Sequence, residues 1–202
     1  MAQKDPKQTF YKYFPAGAAD YCFALWQEHA FHFKINRKRD TKLGDWRYDP
    51  QSDRHTITVN HDLNPFGFLI TYVHEVAHLV TWREHGRKAA PHGKEWKTCF
   101  QQLFTPVMTA SVFPAELLSL LQKHMRNPKA STVADHALSK ALKRYDLHES
   151  GNYLSDIAVG GEFQFRGKRW RKEEKRRTRS LCTELSSGRS YLISELAEVE
   201  RP

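Results

Sequence analysis

Apolar positions recur along the chain at two periods, and the switches between them divide it into elements. Over residues 16–30, Ala19, Phe23, Trp26 and Ala30 fall at helical spacing, which predicts a helix. Residues 31–37 then alternate apolar and polar with period two, as a strand does. A second short strand is expected over 42–48, and 49–53 is a turn by composition. Residues 55–60, rich in β-branched side chains, predict a third strand. Asn64-Pro65 opens a longer helix in which Phe66, Leu69, Ile70, Val73, Ala77 and Val80 recur at threes and fours, ending before Gly86. After a polar loop, Trp96, Phe100, Leu103 and Phe104 mark a helix from Gly93 onward. Further helices are expected from Phe113-Pro114 to Lys123 and over 131–145. From Gly160, short alternating segments around Phe163, Trp170, Leu181 and Tyr191-Leu192-Ile193 are separated by Gly167 and Ser186-Ser187-Gly188. The fold class predicted is α+β: a helix and a small antiparallel sheet, the long helix, further helices, then a small β-appendage. The domains expected are 1–148 and 149–202.

Composition narrows the picture. Apolar residues make up 40% of 202 and aromatics 12%, enough for a packed core. No apolar stretch approaches the eighteen or so residues of a membrane span, and the first residues lack the apolar segment of a secretory signal, so a cytoplasmic protein is expected. Cys22, Cys99 and Cys182 are odd in number, far apart and form no Cys-x-x-Cys pair. That argues against a disulfide framework or a thiolate metal site and leaves metal chemistry to histidine and carboxylate.

His74-Glu75-Val76-Ala77-His78 is the H-E-x-x-H pattern on the long predicted helix. Residues four apart share a helix face, so both imidazoles can reach one ion, and Glu75 can take a proton from water beside it. A catalytic zinc site needs a third protein ligand. An extended motif with Gly at 81 and His at 84 is ruled out by Thr81 and Glu84. Downstream candidates are Glu84, His85, His92 and Glu95, and loop geometry favours His92, with Glu95 next. The sequence does not identify an oxyanion donor; His85 and Tyr72 are named only as candidates.

His74-Glu75-Val76-Ala77-His78, followed after a loop by Pro91-His92-Gly93-Lys94-Glu95-Trp96, resembles the SprT-like family of zinc metallopeptidases. The resemblance implies a zincin-like core, one Zn2+ held by His74, His78 and His92, and Glu75 as general base. It also implies hydrolysis of protein substrates on or crosslinked to DNA. Many relatives carry a C-terminal zinc ribbon built from cysteine pairs. Here that region holds only Cys182, so a second zinc is not expected and the appendage must rely on residues such as Phe163, Phe165, Trp170 and Tyr191.

Charge bears on partners. The net charge is +9, which favours a polyanion. Between Glu162 and Arg179, nine Lys or Arg face three acids, and aromatic rings interleave with them, a combination used by single-strand binders. Arg169, Arg171, Lys172, Arg176 and Arg177 are therefore candidate nucleic-acid contacts, with Arg37, Lys38 and Arg39 as a second cluster. DNA is an expected partner, a membrane is not. The rival expectation is a non-catalytic nucleic-acid-binding or regulatory protein with a structural zinc.

Overall fold

A computed structural model describes residues 5–39, 41–130, 135–146 and 152–200. The chain divides into two compact units, Met1–Tyr145 and Asp146–Pro202. The described residues form six α-helices and two sheets, an α+β protein. None of these helices is long and apolar enough to cross a membrane.

The first unit opens with α1 (Pro6–Tyr13), a short helix that the periodicity alone does not mark. Its signal is Asp5-Pro6: the Asp5 side chain accepts from the Lys7 amide at 2.9 Å, and Pro6 starts the first turn. Then α2 (Ala16–His29) leads into β1 (His32–Asn36), β2 (Gly44–Asp49) and β3 (Arg54–Asn60). The sheet order is β1-β3-β2, with β1 parallel to β3 and β2 antiparallel to it. The expected antiparallel sheet is therefore corrected to a mixed one. Period-two alternation reveals that a segment is extended, but it is the same for either direction of pairing.

Helix α3 (Pro65–His85) lies against this sheet. The Asn64 side chain caps it by accepting from the Gly67 amide at 2.9 Å, and Gly86, at φ +59°, ends it. Phe68, Leu69, Tyr72, Val73, Val76, Ala77 and Leu79 on α3 are all fully buried. They pack with Ala18, Ala19 and Cys22 of α2 and with Ile57 and Val59 of β3. α4 (Lys94–Phe104), α5 (Ala115–Met125) and α6 (His136–Lys143) complete the unit. The start of the last predicted helix, 131–134, lies outside the described residues.

The second unit is an antiparallel sheet in the order β4-β5-β6-β7: β4 (Glu162–Phe165), β5 (Lys168–Lys175), β6 (Arg179–Glu184) and β7 (Ser190–Ser194). Leu154, Phe163, Trp170, Cys182, Ile193 and Val199 form its core. Phe165 packs against that core, and Tyr191, itself exposed, meets Trp170 edge-on. All three cysteines of the chain are free and buried. One polar device was not expected. Lys172 and Glu195, each 2% exposed, form an ion pair at 2.9 Å. Ser180 Oγ also donates to Glu195 at 2.6 Å, and Lys172 Nζ to the Leu154 carbonyl at 2.8 Å.

Candidate metal centre

Nearly every face of α3 is buried, so a polar side chain on it needs a partner of its own. His74 and His78 find theirs one helical turn apart, and His92 reaches them from the loop before α4. The shape of that loop is specific. His92 sits at φ +57°, and the Gly93 amide donates to the Ala90 carbonyl at 2.9 Å. A Cβ at Gly93 would lie 2.9 Å from that carbonyl oxygen, so the tight turn requires glycine.

The three Nε2 atoms lie 3.2 Å (His74–His78), 3.0 Å (His78–His92) and 3.2 Å (His92–His74) apart. A ring nitrogen either carries a proton or presents a lone pair. Among three such nitrogens facing one another, two must be alike, so hydrogen bonding cannot satisfy the triangle. An ion at its centre can. Nitrogens about 2.0–2.1 Å from a tetrahedral zinc stand roughly 3.3 Å apart, close to these spacings. Burial pushes His74 down to about 2 and His78 to about 4, with neighbouring rings adding to both, and burial also lowers His92. The rings are therefore neutral near pH 7, with lone pairs available. Among the described residues, this is the one group of three His, Cys, Asp or Glu side chains that could hold a metal ion.

Glu75 is 7% exposed and packs against the first residue of β2. A Cβ on Gly44 would lie 2.7 Å from Glu75 Oε1 and 2.6 Å from Thr71 Cγ2, so the strand approaches the carboxyl only because residue 44 is glycine. Burial, aided by Asp45, raises the Glu75 pKa to about 8, while a hydrogen bond from the Trp46 backbone and the charges of Arg39 and Lys42 oppose the rise. Trp46 also stacks on His78, with centroids 6.3 Å apart and planes 13° from parallel. These roles of Gly44 and Trp46 carry no local sequence signal, since they arise where β2 crosses α3.

Glu75 and the three histidines line one cavity of about 710 Å³, within the range of small-molecule and peptide sites. One wall is the segment from Thr41 to Trp46, the other the loop from Gly86 to His92. The two oxyanion candidates are not there. Tyr72 is fully buried, donating to the Cys22 carbonyl at 2.8 Å, and His85 is exposed beside Glu84. Neither Glu84 nor Glu95 joins the ring cluster.

The basic candidates separate. Lys172 is corrected: its ammonium is buried in the ion pair with Glu195 and cannot meet a phosphate. Arg39 is half-buried: its Nε donates to Asn60 Oδ1 at 2.8 Å and one terminal nitrogen is buried. Lys172 faces inward where charge counting alone places it outside. Arg169 and Arg171 share Glu162, at 2.7 and 3.2 Å, and Arg176 lies 3.5 Å from Glu174. Arg37, Lys38 and Arg177 are exposed, Lys38 at 4.0 Å from Asp62.

The model of the SprT-like family matches residues 15–114, which include the whole ring cluster. Proteins named SprT from Salmonella newport and Salmonella enteritidis are 71% identical to the chain over 24 residues. That segment covers 12% of this chain and 14% of the length of those curated relatives. No solved structure gives a significant match.

Proposed function

We propose, for a chain that belongs over residues 15–114 to the SprT-like family, that its first unit is a zinc-dependent endopeptidase with a zincin-like core. His74, His78 and His92 hold the ion and Glu75 is the general base. The family is one of predicted zinc metallopeptidases. The observation that carries the reading is the triangle of Nε2 atoms beside a buried carboxyl in an open cavity. A purely structural zinc in a non-catalytic binding protein has no use for that carboxyl.

When bound, zinc supplies a Lewis acid that polarises a carbonyl and makes water more acidic. Glu75 takes the proton of the attacking water and returns it to the departing amine. Burial raises the Glu75 pKa and the charge of a bound zinc would draw it back down, so the carboxylate could accept the proton and the buried acid return it. β2 is an edge strand of its sheet, and Gly44, Asp45 and Trp46 line the cavity. An extended polypeptide pairing with that edge would lie along the cavity, which favours unfolded or loop segments of proteins as substrates. Gly44→Ala should then leave zinc content near wild type but lower hydrolysis about tenfold or more, because its Cβ pushes aside the Glu75 carboxyl and the Thr71 side chain. Zinc analysis alongside peptide hydrolysis checks this.

DNA-associated proteins are the proposed substrates and DNA the proposed partner. The net charge of +9 supports this, with Arg37, Lys38, Arg39, Arg169, Arg171, Arg176 and Arg177 as the proposed contacts. We place the protein in the cytoplasm, where its three buried thiols would stay reduced. Cleavage of an unfolded protein should require zinc, stop with a chelator, and accelerate with single-stranded DNA at low salt. No cleavage under any of these conditions would refute the peptidase reading. In Arg176→Ala/Arg177→Ala, the plot of log affinity against log salt should flatten by about 1.4, the value for two lost single-strand contacts. An unchanged slope would remove both residues from the interface.

A further inference from the structure

We propose that Trp96 is a positioning residue for the metal centre, its indole face fixing the orientation of all three imidazoles before an ion arrives. The inference rests on reading the rings as a metal site. The Trp96 ring centroid is 4.6 Å from that of His74, 5.3 Å from His78 and 4.7 Å from His92. No ligand histidine is spared contact with it. Trp96 sits in the first turn of α4, four residues after His92, so the tight Ala90–Gly93 turn and the helix together bring ring and platform into register.

The platform is itself backed. Phe100, one turn further, stacks on Trp96 at 5.0 Å and 19°, and Phe104 packs on Phe100 at 5.6 Å. This aromatic column leaves the indole little room to tilt. Trp96 is 1% exposed, and its Nε1 is buried with no hydrogen-bond partner among the described residues. An orphaned N–H of this kind is unfavourable, and phenylalanine would avoid it. The imidazole planes meet the indole at 60° (His74), 30° (His78) and 80° (His92), and the smaller phenyl ring would leave part of these contacts unmade. Three lone pairs held on one point in advance lose less rotamer freedom on binding than three mobile rings, so the platform raises affinity for the ion.

The test measures zinc affinity of the full chain by competition with a chromophoric chelator. Trp96→Leu and Trp96→Met remove the flat face and should bind zinc about 10–100-fold more weakly, the usual effect of losing support around a ligand. Trp96→Phe keeps part of the face and should lose less than about tenfold. Leu121→Ala is the control for general core damage: Leu121 is fully buried in the same core but lies on α5, outside the column of Trp96, Phe100 and Phe104. It should bind as wild type does. A folded Trp96→Leu or Trp96→Met binding zinc within about threefold of wild type overturns the inference, as does an equal loss in Leu121→Ala. Should neither variant fold, cobalt(II) quenching of tryptophan emission decides. Of the five single Trp→Phe variants, Trp96→Phe should remove the largest share of the quench, and an equal or larger share lost by another overturns the inference. Wild type that binds no zinc would instead refute the metal site itself.

Discussion

Glu75→Gln is expected to lower peptide hydrolysis by about 10²–10⁴-fold, the usual contribution of a general base, while zinc content stays at the wild-type level. The loss corresponds to roughly 3–5 kcal/mol of transition-state stabilisation. Glutamine fills the same space against Gly44 and can still face the Trp46 backbone, but it cannot accept a proton from water. The variant therefore separates the base from the ligands beside it. Steady-state kinetics on the zinc-loaded protein, with metal analysis of the same sample, checks the prediction. Activity within about tenfold of wild type would remove Glu75 from its role.

The second large effect concerns the other unit. Lys172→Met should destabilise it by about 3–5 kcal/mol, because a buried carboxylate loses the ammonium nearest to it. Lys175, largely exposed and 3.9 Å from the other carboxylate oxygen, and the Ser180 hydroxyl remain as partners but make up only part of the lost ammonium. Adding Glu195→Leu should restore part of the loss by removing the stranded charge. Burial pushes the Glu195 pKa upward, but the Ser180 hydroxyl and Lys172 outweigh burial and hold it below the ordinary carboxylate value. Its contribution to wild-type stability is therefore complete above that ordinary value and is lost as pH falls through the lowered one. In Lys172→Met this acid-side loss should shrink. Hydrogen exchange of β5 and β6 amides reports both effects. A Lys172→Met unit as stable as wild type would show that the pair contributes nothing.

How far these sites can be read from sequence depends on how local they are. The two ligands on α3 are legible because one helical turn sets their spacing, and the apolar residues around them make that helix plain. His92 is harder: its approach depends on a left-handed residue and a glycine turn, so spacing and loop geometry only favour it over Glu95, and resemblance to a family strengthens that choice. The direction of β1, the role of Gly44 and the partial burial of Arg39 depend on contacts between distant segments. Lys172 lies between these cases. Alternation along β5 puts it on the same face as the buried Trp170, a signal that counting charges along the tract passes over.

The central claim is that three imidazoles bind one ion, and zinc content measured against a chelator series tests it most directly. Wild type and Glu75→Gln should each retain about one zinc per chain, while His74→Ala, His78→Ala and His92→Ala should each lose it at chelator concentrations that wild type withstands. Zinc held by His92→Ala as tightly as by wild type would contradict the account.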